Sequence, residues 1–214
     1  MDGKTAGGGM ETLTINIAST IQREIAWFET VVDTGLTIYF KNESKYQSFY
    51  EHTPPDLLED DSPYASLVKD LQLSFEERII LILAIIPHIK PQCLDVFLIK
   101  NQNIDAAYSE FGGHRDQMKP GFIPTIETAC FILGGYDLNQ RFIFLQQFNK
   151  NHIFYKKGIL DFNSEQEFGL QQTLQLSHEY LGYFTTGVRQ LPQYSSKFPA
   201  KEISTQMDWN DLIV

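Results

Sequence analysis

Cysteine is scarce in this sequence of 214 residues, and long apolar runs are absent from it. The two cysteines, Cys93 and Cys130, do not form a Cys-x-x-Cys pair, which argues against a disulfide framework and favours a reducing compartment. The longest apolar run, 79–87, is far shorter than the roughly 20 residues that a membrane-spanning helix needs. The first residues contain no apolar core of a signal peptide. These absences predict a soluble cytoplasmic protein that does not associate with a membrane.

Motifs of catalysis and of cofactor binding are also missing. The sequence contains no Gly-x4-Gly-Lys phosphate loop, no Gly-x-Gly-x-x-Gly after a strand and no Gly-x-Ser-x-Gly elbow. The five histidines lie at wide intervals, without the spacing of a zinc site. Cys93 and Cys130 stand in apolar contexts, where a reactive thiolate is disfavoured. The sequence therefore predicts a chain that is not an enzyme and that holds neither a cofactor nor a metal.

Acidic residues outnumber basic ones by 27 to 17, so the net charge is −10 and the isoelectric point is near 4.9. Hydrophobic residues make up 43% of the chain and charged residues 21%, which is enough apolar surface to form a core. Residues 1–11 are rich in glycine, and we predict that they form a flexible leader.

A long amphipathic helix is predicted over about 15–40, within a first segment, 12–61. Its apolar positions follow one another at steps of three and four and comprise Ile21, Ile25, Phe28, Val32, Leu36 and Tyr39. Glu24, Glu29 and Asp33 lie off this stripe. Pro54, Pro55 and a cluster of acidic residues at 59–61 then predict a linker.

Local signals for helix starts recur in the next segment, 62–188. Ser62 precedes Pro63, and Ser74 is followed three residues later by Glu77 in a capping box. The apolar run after Ser74 predicts a central buried helix that ends at Pro87. Pro91 should begin a short helix. Two further starts are predicted at Thr125 and Asp137, and the second helix should turn Phe142, Leu145 and Phe148 inward.

A β-hairpin is predicted at 153–162, where two β-prone runs flank a glycine-containing turn. A last helix is predicted at 171–184, and 189–214 should be extended. The predicted fold class is mainly α with a small β-hairpin, arranged as a helical bundle with a winged-helix-like domain. That interpretation depends on several helices being followed by one hairpin.

Basic residues are concentrated in one stretch that contains no acidic residue, between Asp137 and Asp161. The candidate nucleic-acid contacts are Arg141, Lys150, Lys156 and Lys157. The helix before them carries Glu127 but no lysine or arginine, and the net charge is −10, so a surface that faces solvent or a protein partner is favoured. An enzymatic alternative would need His114, Arg115 and Glu127 to turn inward around a cavity.

Several sequence blocks resemble a known family. The blocks are 110–113 (Glu-Phe-Gly-Gly), 121–128 (Gly-Phe-Ile-Pro-Thr-Ile-Glu-Thr), 21–25, 95–100, 183–187 and 198–201. Together they resemble the N-terminal region that precedes the motor of a bacterial AAA+ ATPase family. That family is typical of Bacteroidetes-type genomes and is often linked to contractile injection systems. The resemblance covers about 15–212, and none of its blocks is a catalytic signature.

The resemblance implies a non-catalytic domain that recognises a substrate or couples a protein partner to an ATPase module in cis. It implies that 189–214 leads toward that module and that Trp209, Leu212 and Ile213 contact it. ATP would bind only there, beyond this chain. Assembly into a homo-oligomer is a further expectation. The alternative function is a winged-helix DNA-binding regulator that uses the four basic residues.

Overall fold

The computed structural model describes residues 6–115, 121–161 and 169–189. Its α-helices are α1 (Ala6–Tyr39), α2 (Pro63–Leu71), α3 (Phe75–Ile89), α4 (Ile126–Gly134), α5 (Leu138–Leu145), α6 (Ile153–Lys156) and α7 (His178–Thr186). Short 3-10 helices lie at Phe49–Glu51, Pro91–Leu98, Ser109–Phe111 and Gln146–Phe148. The strands are β1 (Lys100–Asn101), β2 (Ala106–Ala107), β3 (His114–Arg115) and β4 (Phe122–Ile123). The predicted class, mainly α with a small β component, is confirmed.

The central helix is α3, as predicted. Ser74 and Glu77 form the capping box at its start, and every residue from Arg78 to Ile86 is buried. The prediction that Pro87 ends the helix is wrong, because α3 continues to Ile89. Proline removes one backbone donor, but a bond that spans Pro87 is formed: Lys90 N–H donates to the carbonyl oxygen of Ile86 at 2.9 Å. Burial of the helical turns before Pro87 stabilises α3 enough for it to continue past the proline.

Helix α1 covers one side of this core along its whole apolar stripe. All six predicted stripe residues are buried. The helix begins at Ala6, inside the stretch predicted as a flexible leader, so that prediction is wrong for 6–11. Helix α7 approaches α1 near this N-terminal end. A Cβ added at Gly187, which has φ +75°, would lie 2.8 Å from Leu13 Cδ2, so α7 ends against the N-terminal part of α1.

The segment between α1 and α2, predicted as a linker, packs back onto α1. The Trp27 indole N–H donates to the carbonyl oxygen of His52 at 2.9 Å, and Leu57 is buried. Ser62 Oγ then accepts from the backbone N–H of Ala65, which starts α2 with Pro63 in its first turn, as predicted. The division of the chain at residue 61 stays a prediction.

The β-structure lies earlier in the chain than predicted. Strands β1 and β2 form one antiparallel pair, and β3 and β4 form another, both before α4. The predicted hairpin at 153–162 is wrong. Its first half is α6, where His152 Nδ1 accepts from the backbone N–H of Phe154 and the Phe154 ring is buried. Leu160 instead forms an isolated bridge with Leu176. The winged-helix interpretation therefore loses the hairpin on which it depended.

Candidate interaction surface

Helix α5 turns a different face to the core from the one predicted. Asp137 caps the helix as expected, since its Oδ1 accepts from the backbone N–H groups of Asn139 and Gln140 at 2.9 and 3.3 Å. Of the three side chains expected inside, only Phe148 is buried. Phe142 and Leu145 are exposed, and Phe144 is buried in their place.

Two contacts of Arg141, with α4 and with the residue that follows it, determine which side of α5 packs against the core. Arg141 Nη2 donates to Glu127 Oε1, and Arg141 Nη1 donates to the carbonyl oxygen of Gly135 at 3.3 Å. A Cβ at Gly134 would lie 2.7 Å from Arg141 Cγ and 2.9 Å from Arg141 N, so only glycine allows this close approach. The inward residues are therefore Arg141 and Phe144 of α5, followed by Phe148 of the next 3-10 helix.

Another side of α5 presents apolar side chains to solvent. We call Leu138, Phe142 and Leu145 the α5 face; they are spaced four and three residues apart and so share one side of the helix. Leu138 is 63% exposed and Phe142 is 61% exposed. The adjacent Ile143 is exposed as well. Single exposed apolar residues are common, but a contiguous group of this kind is typical of a contact surface.

The predicted basic contacts do not form one surface of free cations. Arg141 is paired with the buried Glu127 of α4, so its guanidinium is engaged inside the fold. Lys150, Lys156 and Lys157 are exposed, but the last two belong to the end of α6 rather than to a hairpin tip.

The residues of the enzymatic alternative are separated in the structure. His114 and Arg115 form β3 and are exposed, whereas Glu127 is buried and bonds Arg141. Trp209, Leu212 and Ile213, the predicted motor contacts, lie outside the described residues.

The described cysteines and metal-ligand residues give no sign of reactive chemistry. Burial raises the pKa of the Cys93 thiol to about 11, and it raises the pKa of the Cys130 thiol to about 11 as well. Both side chains are therefore protonated near neutral pH and pack in or against the core, as predicted. Within 6–115, 121–161 and 169–189, no three histidine, cysteine or carboxylate side chains come together to hold a metal ion.

Buried charge lies instead beneath the middle of α1. Glu24 is fully buried, accepts from Tyr64 Oη at 2.8 Å and from Arg78 Nε at 3.3 Å, and also pairs with Arg78 Nη2. Burial raises the pKa of Glu24, while Arg78 and Tyr64 oppose that shift. Nearby, Asp60 Oδ2 accepts from Thr20 Oγ1 at 2.6 Å. We call these five residues the polar seam, and they hold α1 to α2 and α3.

Aromatic side chains surround the second half of α1. The Tyr39 ring stacks on Tyr136, with centroids 4.5 Å apart and planes 15° apart, and it meets Phe131 edge-on at 5.0 Å. Tyr39 Oη donates to Glu110 Oε1, and that hydrogen bond lowers the pKa of Glu110. Tyr136 is 66% exposed although it stacks on a buried ring.

A cavity of about 470 Å³ opens beside this group, and we call it the aromatic cavity. Its walls come from α1, from the Gln47–Tyr50 stretch and from the junction of α4 and α5. Six aromatic rings line it, those of Tyr39, Phe49, Tyr50, Phe97, Phe131 and Tyr136. The backbone of Gly35 also lines it. No local sequence motif predicts that Gly35 borders a cavity.

Within the described ranges, no helix alone has the length and apolar character to cross a membrane. Helix α3 and the 3-10 helix Pro91–Leu98, which are bent by 104° relative to each other, meet that test of length and composition only as a pair.

Comparison of the chain with protein-family models, with curated proteins and with solved structures finds no match. The resemblance to the N-terminal region of an AAA+ ATPase family therefore stays a prediction.

Proposed function

We propose that this chain is a non-catalytic contact module that binds a protein partner on the α5 face. The observation that carries the proposal is the exposure of Leu138, Phe142 and Leu145 in one line on an ordered helix. Burying an apolar side chain of this size against a partner contributes about 1.5–3 kcal/mol. Three adjacent side chains of this kind can anchor an interface.

The α5 face cannot turn inward without breaking the contacts beneath it. Rotation of α5 would separate Arg141 from Glu127, which is buried, and would withdraw Phe144 from the core. Loss of a partner from a buried ion pair costs about 3–5 kcal/mol. These contacts therefore keep the α5 face exposed to solvent. Only the surface of another molecule can cover it.

The partner that fits this face is an amphipathic helix with apolar side chains three and four residues apart, since that spacing matches the α5 face. If the family resemblance holds, the partner is a cargo or adaptor protein, and the chain couples it to an AAA+ motor in cis. In that case Trp209, Leu212 and Ile213 contact the motor. The α5 face alone supports protein binding and does not depend on this resemblance.

A photo-crosslinking amino acid at position 142 tests the proposal in cells that naturally contain this chain. We expect discrete crosslinked protein bands from position 142 that disappear when Leu138→Lys is added. The matched control is position 58, because Leu58 is apolar, 74% exposed and outside α5. A second copy of this chain in the band would identify the partner as a homo-oligomer.

The same bands from positions 142 and 58, or bands that survive Leu138→Lys, would contradict the proposal. Thermal melts of both variants check that they fold, since substitutions at exposed positions usually change stability by less than about 0.5 kcal/mol. Saturable binding of a labelled ATP analogue to the purified chain would contradict a non-catalytic role.

DNA binding remains the alternative function, supported by the exposure of Lys150, Lys156 and Lys157. A salt-dependent shift of duplex DNA that Lys156→Glu and Lys157→Glu abolish would favour it over protein binding.

A further inference from the structure

We propose that the aromatic cavity binds a neutral aromatic group. The inference does not rest on the proposed function, because none of Leu138, Phe142 and Leu145 lines the cavity. Its volume of about 470 Å³ falls in the range of about 300–1,000 Å³ that is typical of small-molecule sites.

The walls favour a flat ring over an aliphatic chain. Six aromatic side chains line the cavity, and the stacked pair of Tyr39 and Tyr136 stands at its edge. Ring pairs gain about 0.5–1.5 kcal/mol beyond their burial when they meet offset-stacked or edge-on. A ligand ring in the aromatic cavity can therefore contact both the faces and the edges of the rings that line it.

The polar groups of the cavity favour a neutral ligand. No lysine or arginine lines it, so an anion finds no opposite charge there. The one carboxylate, Asp137, already accepts two backbone hydrogen bonds at the N-terminus of α5. The Gln47 and Gln140 amides, which are uncharged donors and acceptors, also line the space. A ring with one polar N–H or O–H group matches this set.

Gly35 lines the aromatic cavity without contributing a side chain to it. It lies inside α1, where glycine is less favourable than alanine by roughly 0.5–1 kcal/mol, and a Cβ added there would meet no atom within 4 Å. An added Cβ is therefore sterically allowed by the fold, and because Gly35 lines the cavity, a larger side chain there would occupy part of it. Gly9 is the matched position, since it lies in the same helix, is exposed, and its added Cβ also meets nothing within 4 Å.

Titration of the ¹⁵N-labelled chain with indole, followed by two-dimensional NMR, tests the inference. We expect saturable shifts of the Gly134 and Gly135 amides with a Kd on the order of 1 mM or tighter. Gly35→Leu should weaken binding by at least about tenfold because its side chain fills the cavity, whereas Gly9→Leu should leave binding unchanged. Thermal melts confirm that both variants fold. If Gly35→Leu does not fold, Tyr136→Ala replaces it, since that exposed ring lies at the cavity edge and its loss should also weaken binding.

Parallel titrations with N-acetyltryptophan amide and with tetramethylammonium define the ligand. Binding of both indole and the capped tryptophan supports the inference and admits a protein side chain as the source of the ring. Binding of indole alone supports it and assigns a small molecule. The inference is overturned if indole does not saturate the shifts, if Gly35→Leu and Gly9→Leu bind it equally, or if only tetramethylammonium binds.

Discussion

The middle of α1 and its C-terminal end contact the rest of the protein in different ways. The middle lies on the polar seam, where Glu24, Arg78 and Tyr64 satisfy one another in a buried space. The C-terminal end lies among stacked and edge-on rings around Tyr39, beside a cavity of about 470 Å³. A buried charge needs a specific partner, because an unpaired buried charge lowers the stability of the fold. Aromatic rings can pack against one another in several geometries, either offset-stacked or edge-on.

This difference assigns a different role to each part of the helix. The polar seam determines which surface of α1 faces α2 and α3, because Glu24 must meet Arg78. The C-terminal end borders space that the fold does not fill. A binding site is therefore expected at the C-terminal end, and the largest losses of stability are expected in the middle.

The largest effect should follow from Glu24→Ala. Removing this carboxylate leaves the buried Arg78 guanidinium without its ionic partner, so we expect a loss of about 3–5 kcal/mol in the free energy of unfolding. Urea denaturation followed by circular dichroism measures it. Glu29→Ala is the control on the same helix, because Glu29 pairs with Lys90 at 3.4 Å on the surface and should contribute less than about 1 kcal/mol. Equal losses for the two variants would contradict the role assigned to the polar seam.

A smaller effect is expected from Tyr39→Phe, which keeps the ring and removes its hydroxyl. The hydrogen bond to Glu110 is charge-assisted but partly exposed, so we expect a loss of about 1.5 kcal/mol at pH 7. Because this bond lowers the pKa of Glu110 below its ordinary value of 4.5, its contribution is present above that pH. It is lost as the pH falls through the lowered pKa of the folded state. Unfolding curves of both proteins from pH 7 to pH 3 should therefore converge, and a constant difference would contradict the assignment.

The smallest effect, of opposite sign, is expected from Gly35→Ala. Alanine lowers the conformational entropy of the unfolded chain and meets no atom within 4 Å, so stability should rise by about 0.5–1 kcal/mol. Thermal denaturation measures this gain. A decrease in stability would show that the space beside Gly35 is not open to a methyl group.

Local chemistry predicted where helices begin but not how they are rotated. The starts at Ser62, Ser74 and Asp137 follow from side chains that bond backbone groups two or three residues ahead, and such contacts are readable in sequence. The rotation of α5 depends on Arg141 meeting Glu127, fourteen residues earlier, and on a glycine contact. Hydrophobic spacing could not choose between Phe142 and Phe144, because α5 is apolar on several sides.

The candidate site was even less predictable. Its cavity joins residues from α1, from the stretch after it and from the α4–α5 junction, which no sequence motif links. Glu24 lies off the apolar stripe by spacing alone, and its burial depends on Arg78, fifty-four residues later. The expected hairpin at 153–162 failed because burial of Phe154 in a helical turn outweighed the β-propensity of its neighbours.

The length of α1 has a mechanical consequence. Leu13 lies against the end of α7, and Tyr39 lies against Tyr136 just before α5. The 26 residues between them correspond to about 39 Å at 1.5 Å per residue. A partner on α5 and the end of α7 are thus joined through one continuous helix. Tension applied to either end would travel along its backbone hydrogen bonds rather than through loops.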